Sequence, residues 1–131
     1  MFSLFGKKKE TSGLPKQLQD FLTSADDVYM RAFSMKSIKV LGNHFSRECC
    51  VKLARVIYSE GNFRFFGTEK FRSTTWTIEK QDDEKIYIIK EVDFDKVKIS
   101  KNFKMQIADN YSEKWCVSTP DYMVLDVYKL T

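Results

Sequence analysis

The chain has 131 residues, 43% of them hydrophobic and 31% charged, with only two prolines, a composition typical of one folded domain and not of a disordered chain. Lys7, Lys8 and Lys9 supply three of the 22 basic residues, so the rest of the chain has 19 basic against 18 acidic residues. That balance excludes the basic surface with which proteins bind the phosphates of nucleic acid. The sequence contains no run of about 18 apolar residues, so it predicts no membrane-spanning helix.

Residues 1–13 are predicted to form a flexible basic tail in front of a single domain over 14–131. The alternative is a weak peripheral membrane contact through residues 1–9, with lysines attracted to anionic lipid and phenylalanines entering the interface. The tail residues concerned are Phe2, Leu4, Phe5, Lys7, Lys8 and Lys9. A mobile tail is the favoured interpretation, because one short segment without a lipid group binds a membrane only marginally.

Apolar residues at spacings of three and four predict a first helix that begins near Pro15 and continues to Phe33. A short helix of about two turns is expected within residues 34–45. Ser46 is a good N-cap for the next helix, which should end at Gly61.

After Gly61 the hydrophobic period changes from helical to two. Residues 70–80 and 85–92 predict a β-hairpin, and residues 95–100 predict a further short strand. A long strand is expected over 103–118, with a bulge near Asp109 and Asn110.

In the long strand, alternation would place Tyr111, Glu113 and Trp115 on one face. In the last strand it would place Tyr122, Val124 and Tyr128 together on the face opposite Met123, Leu125 and Val127. Helices followed by an antiparallel meander give an α+β fold in which the helices cover one face of the sheet.

Two segments, "DDVYMRAFSMKSIKVLGNHFS" and "ADNYSEKWCVSTPDYMVLDVYKL", resemble the first helices and the closing strands of the nuclear transport factor two-like superfamily. This cystatin-like cone fold is shared by ketosteroid isomerase, scytalone dehydratase and many small uncharacterised bacterial proteins, and domains of the Tim-type import-motor family have a related shape. The resemblance covers about residues 15–130. It implies a curved sheet that forms a cone with the helices and encloses a pocket.

In that superfamily the pocket serves isomerases, dehydratases and pure binding proteins, so the fold does not decide the function. The resemblance also implies a homodimer through the sheet, for which Tyr122, Val124 and Tyr128 are the candidate interface.

Six aromatic residues are candidates for the lining of the pocket: Tyr29, Phe33, Trp76, Tyr87, Tyr111 and Trp115. The alternative for these rings is ordinary packing between the sheet and the helices. Stacking on nucleic-acid bases is not expected, because the body of the chain lacks a basic groove.

Glu113, Asp109 and His44 are the candidates for a catalytic acid or base. Two of them also have a structural interpretation: His44 as a residue of a turn before a helix, and Glu113 as the partner of a cross-strand cation such as Arg72. The three cysteines, at 49, 50 and 116, have neither CxxC nor Cys/His spacing. We therefore expect no metal, no cofactor and reduced thiols in a cytoplasmic protein.

The main hypothesis is a non-catalytic binding or scaffold domain whose partner is a protein or a small apolar ligand. The first alternative is an isomerase or lyase that uses Glu113, Asp109 or His44 as its base. The second is a peripheral membrane adaptor that binds through residues 1–9.

Overall fold

The computed structural model describes residues 13–60, 69–103 and 109–130. Within these ranges the helices are α1 (Lys16–Met35), α2 (Arg47–Glu60) and α3 (Lys96–Phe103), and short 3₁₀ turns cover Lys39–Leu41 and Glu69–Phe71. The strands are β1 (Arg72–Gln81), β2 (Lys85–Phe94), β3 (Tyr111–Ser118) and β4 (Val124–Lys129). The predicted α+β class with an antiparallel sheet is thereby confirmed. The predicted tail over 1–13 lies outside the described residues except for Gly13.

Helix α1 is amphipathic and presents one apolar stripe to the sheet. Leu18, Leu22, Ala25 and Phe33 are buried along that stripe at helical spacing. The helix ends where Lys36 takes a left-handed conformation (φ 50°) and the Ser37 N–H donates to the Ala32 carbonyl at 3.0 Å.

Helix α2 begins where the sequence predicted it. The Ser46 hydroxyl accepts a hydrogen bond from the Cys49 N–H at 3.1 Å, which is the expected N-cap contact. The segment just before the helix lies along β4: the Val124 N–H donates to His44 O at 2.8 Å, and the Ser46 N–H donates to Val124 O at 2.9 Å.

The four strands follow the chain in the order β1-β2-β3-β4, and each neighbouring pair is antiparallel. Side chains on the face toward the helices are buried, as Ile88 in β2 and Val117 in β3 illustrate. The register places Trp76 of β1 opposite Lys90 of β2, and Lys90 opposite Glu113 of β3. These three side chains therefore form a row across the middle of the inner face.

The predicted short strand over 95–100 is wrong, because this segment forms helix α3. Asp95 begins the helix: its side chain accepts from the Lys98 N–H at 3.3 Å, and its carbonyl accepts from the Ile99 N–H at 3.0 Å. Val97 is 78% exposed and Ile99 is fully buried. A strand would have placed both side chains on one face, whereas a helix separates them.

Strand β3 is shorter than the predicted span of 103–118. Residue 103 belongs to α3, residues 104–108 lie outside the described residues, and the strand begins at Tyr111. The expected bulge at Asp109 and Asn110 is instead the entry to the strand. The Asn110 side chain accepts from the Phe94 N–H at 2.9 Å and so satisfies a backbone donor where the β2–β3 ladder ends.

The predicted alternation in the last strand fails at Leu125. Val117 pairs with Val124 while Cys116 pairs with Asp126, so Leu125 is an extra residue in β4. The extra residue moves Val124 into the core, where it is fully buried beside Val127.

The three candidate interface residues therefore do not share an exposed face. Val124 is buried, Tyr122 packs on Phe21 at a ring-centroid distance of 5.6 Å, and Tyr128 is 41% exposed. The homodimer itself stays a prediction.

Candidate functional site

A lysine ammonium lies at the centre of the inner face of the sheet. Lys90 has no exposed side-chain surface, although a lysine is rarely buried unless it is paired. Its Nζ donates to Asp26 Oδ1 of α1 at 2.5 Å and lies 3.4 Å from Glu113 Oε1 of β3. Lys90 thus connects helix α1 with two neighbouring strands.

Glu113 accepts from three different side chains. The Tyr29 hydroxyl donates to Oε2 at 2.6 Å, and the Trp115 Nε1–H donates to Oε1 at 3.1 Å beside the Lys90 ammonium. Both carboxylate oxygens therefore have donors, which compensates for the water lost when the side chain is buried.

Four aromatic rings surround the ammonium of Lys90. The distances from Nζ to the ring centroids are 4.8 Å for Tyr29, 5.2 Å for Trp115, 5.4 Å for Tyr111 and 5.8 Å for Trp76. All four lie within the range of a cation–π interaction. Lys90 with these rings and its two carboxylates is called the Lys90 cluster below.

The charges of the Lys90 cluster and its neighbour Arg72 balance. Arg72 of β1 lies 3.7 Å from the second oxygen of Asp26, so two cations face the two carboxylates of Asp26 and Glu113. Burial alone would lower the pKa of Lys90, but the charges of Asp26 and Glu113 outweigh burial and raise that pKa.

Burial, together with the charge of Glu113, raises the pKa of Tyr29 well above its ordinary value. At neutral pH Lys90 is therefore protonated and Tyr29 keeps its proton. A cation that cannot act as a base and a phenol committed to Glu113 hold the cluster in one charge state.

The predicted pocket-lining residues mostly meet, but they pack against one another. The Trp76 and Trp115 ring centroids are 5.1 Å apart, and Tyr29 is 5.3 Å from Trp115 and 5.2 Å from Phe33, all edge to face. These rings fill the space between α1 and the sheet.

Tyr87 is the exception among the predicted lining residues, and its assignment to the pocket is corrected. It pairs with Cys116 on the opposite face of the sheet, because residues 86, 88, 90 and 92 take the inner positions of β2. The Lys80 ammonium lies 4.9 Å from its ring centroid.

The three catalytic candidates are placed in different surroundings. Glu113 belongs to the Lys90 cluster, Asp109 is exposed before β3, and His44 is half-buried in the turn before α2. His44 Nε2 is 2.9 Å from the Ser24 hydroxyl, and its ring lies 5.7 Å from Phe21. The expected cation opposite Glu113 exists, but it is Lys90 and not Arg72.

Sequence reasoning missed Lys90 and Asp26. In β2 the alternation Ile86, Ile88, Lys90, Val92 places a lysine at an apolar position, and this pattern could have identified it. Asp26 likewise stands four residues after Leu22 within the apolar stripe of α1. A charged residue at a core position is the signal that both share.

A groove of about 330 Å³ lies between α1 and the first strand, next to the Lys90 cluster. Asp26 and Trp76 belong to both the cluster and the groove. This α1–β1 groove is lined by Gln19, Thr23, Asp26, Asp27, Arg72, Thr74 and Trp76. Arg72 also borders a second groove, of about 450 Å³, between β1 and α3.

No group of His, Cys, Asp and Glu side chains in the described ranges is arranged to hold a metal ion. Among those same residues, no helix is both long and apolar enough to cross a membrane. Comparison of the chain with protein-family models, with curated proteins and with solved structures gives no match.

Proposed function

We propose that this chain is a non-catalytic binding domain with the cone-shaped arrangement of the nuclear transport factor two-like superfamily. Its ligand or protein partner binds outside the packed interior, at the α1–β1 groove. The superfamily assignment rests on the order of the elements, helices first and then an antiparallel meander, and on the inner sheet face that the helices cover.

The state of Glu113 is the observation that carries the proposal. A catalytic base needs a free lone pair within reach of a substrate proton. Glu113 already accepts from Tyr29, Trp115 and Lys90, and its neighbours are rings in mutual contact. The interior contributes a rigid, charge-balanced core, and this favours binding over acid–base chemistry.

The α1–β1 groove supports the position of the binding surface. It is open to solvent and mixes hydroxyl, amide and charged groups with Trp76, the one apolar residue of its lining. Ligand sites in proteins commonly combine an apolar wall with a few polar groups that fix orientation. The inner wall of the groove belongs to the Lys90 cluster. The contacts of that cluster therefore hold the side chains of this wall in fixed positions.

The two tryptophans allow a direct test by NMR, since Trp76 borders the groove and Trp115 is fully buried. The loss of one indole N–H signal in Trp76→Phe assigns both signals. Titration of the protein with a library of small apolar fragments should shift the Trp76 indole signal and leave the Trp115 signal in place. Glu113→Gln should leave fragment binding at Trp76 unchanged.

Shifts of the Trp115 indole and of the Tyr29 amide would contradict the proposal. They would mean that fragments enter the interior, and the enzyme alternative with Glu113 as base would then be preferred. The membrane alternative concerns residues outside the described ranges. It predicts liposome binding that disappears when residues 1–9 are deleted.

A further inference from the structure

We infer that the outward side of α2 and the end of β4 together bind the surface of a bilayer that contains anionic lipid. The exposed apolar side chains here are Val51, Val56, Tyr58, Tyr128 and Leu130, and they define the α2–β4 surface. The inference goes beyond the proposed function, because the α1–β1 groove lies at the opposite edge of the sheet.

Helix α2 runs alongside β4, so their exposed side chains belong to one surface. Phe45, just before the helix, forms a parallel bridge with Val124. About two turns later, Lys52 donates to Asp126 at 2.5 Å, and its ammonium lies 4.6 Å from the Tyr128 ring centroid. Contacts at these two points hold the helix along the strand.

The α2–β4 surface carries most of the large apolar side chains that the described ranges expose. Of seven such side chains, five lie on this surface, and only Met35 and Val97 lie elsewhere. Val51 is 61% exposed and Tyr58 is 52% exposed. Single exposed apolar residues are ordinary, but a concentration of them on one surface indicates contact with a partner or a membrane.

Basic side chains alternate with apolar ones along the most outward part of α2. Arg47, Val51, Arg55 and Tyr58 follow at spacings of four, four and three, so they form one ridge of the helix. This ridge has two guanidiniums and no carboxylate. In the described ranges neither arginine has an ion-pair partner, whereas Lys52 beside them is neutralised by Asp126.

A bilayer with anionic lipid offers partners for both kinds of side chain. Its headgroups attract guanidiniums, and its interface accepts tyrosine rings and short apolar side chains. An arginine there can bury its apolar stem while its guanidinium stays at the phosphate. The ridge is convex, and a planar interface covers it without a matching groove.

The sequence of the first nine residues has the same combination, with Phe2, Leu4 and Phe5 before three lysines. One such segment binds a bilayer only marginally, so firm binding needs a second contact. The α2–β4 surface supplies this second contact, and two weak contacts in one chain bind far more tightly than either alone.

A second copy of the chain is a poorer occupant of this surface. In a twofold dimer the same patch of each copy meets the other, so the guanidiniums of Arg47 and Arg55 from two copies would lie in one contact. Like charges brought together across an interface weaken the association. Charge complementarity therefore favours an anionic surface.

Co-sedimentation of the full chain with two kinds of vesicle tests the inference: phosphatidylcholine alone, and equal amounts of phosphatidylcholine and phosphatidylserine. The chain should bind the mixed vesicles, and added salt should weaken the binding because ions screen the headgroups. In nanodiscs of the mixed lipid, a gadolinium-chelating lipid should broaden the amide signals of Val51, Arg55 and Tyr58 and leave that of Trp76 sharp.

Two variants on the ridge are compared with two matched controls on α3. Arg55→Gln should weaken binding to the mixed vesicles about fivefold, the effect of one basic residue near an anionic surface. Val51→Asp should weaken it about tenfold or more, since it removes apolar contact and adds a negative charge. Lys101→Gln and Val97→Asp should change it less than about twofold, because both residues are exposed on α3 and not on this surface.

Unchanged binding in both ridge variants would overturn the inference, and so would broadening confined to residues 1–9, because the tail alone would then bind. A polyglutamate peptide that shifts the amides of Val51 and Arg55, in a chain that binds no vesicle, would assign the surface to an acidic protein segment. A dimer in sedimentation that Val51→Asp abolishes would assign it to a second copy, and either result overturns the inference. Fragment shifts of the Trp76 indole test the proposed function separately, so each proposal can fail without the other.

Discussion

At Lys90, two carboxylates and four aromatic rings replace the water that a lysine ammonium normally binds. Desolvation of an ion costs several kcal/mol, and only close, well-oriented partners offset it. The partners come from α1 and from β1 and β3, the two strands on either side of β2. The cluster therefore forms only when these elements have assembled. The effect of replacing Lys90 therefore reports whether all of these elements are in contact.

Replacement of Lys90 by methionine keeps the length of the side chain but leaves Asp26 and Glu113 buried without its ammonium. We expect Lys90→Met to lower the free energy of unfolding by about 3–5 kcal/mol, measured by urea denaturation. Adding Glu113→Gln should restore part of the loss, because one uncompensated charge is then removed.

Lys114→Met is the matched control. Lys114 lies on the other face of β3, pairs with Glu79 at 3.0 Å and is 29% exposed. We expect a loss below about 1 kcal/mol there. Similar small losses for both lysines would show that Lys90 does not hold a buried charge pair.

At the level of elements, long and strongly periodic segments were predictable and short ones were not. Helix α1 and the β1–β2 hairpin confirm the predictions, because each repeats its apolar period several times. Helix α3 has only eight residues, so its pattern fits a strand as well as a helix. The capping contacts of Asp95 and the burial of Ile99 decided in favour of the helix.

The contrast between Val97 and Ile99 gives a prediction about α3. Ile99→Ala should lower the free energy of unfolding by about 2–5 kcal/mol, because it creates a cavity at a fully buried position. Val97→Ala should change it by less than about 0.5 kcal/mol, because Val97 is 78% exposed. Comparable losses in thermal or urea denaturation would contradict the helix, since only a strand places both residues on one face.

At the level of the whole molecule, the pKa values of groups on several elements are raised, by burial for Tyr29 and Cys49 and by the charges of Asp26 and Glu113 for Lys90. The pKa of Tyr29 and that of Lys90 are raised within the Lys90 cluster, and burial raises the pKa of the Cys49 thiol on α2 to about 12. All three groups keep their protons in the folded state under conditions in which the unfolded chain loses them. Their stabilising contribution is therefore complete below the pKa of the unfolded groups and is lost as the pH rises.

We expect the free energy of unfolding to be steady near neutral pH and to fall above about pH 8.5, where unfolded cysteine begins to ionise. Each such group contributes a loss of about 1.4 kcal/mol per pH unit above its unfolded pKa. Urea denaturation between about pH 7 and about pH 10 measures the decline. Cys49→Ala should make the decline less steep, and an unchanged slope in this variant would contradict the role of the buried thiol.

The sequence by itself determined the α+β class, the first helix, the N-cap at Ser46 and the shared face of Tyr111, Glu113 and Trp115, because each depends on local periodicity or local hydrogen bonds. Only the tertiary structure showed that this face surrounds the buried ammonium of Lys90. The meeting of Lys90 with Asp26 joins residues 64 positions apart, and the extra residue Leu125 in β4 places Val124, which precedes it, in the core together with Val127. Such features depend on register and on packing between elements, and no local pattern contains that information.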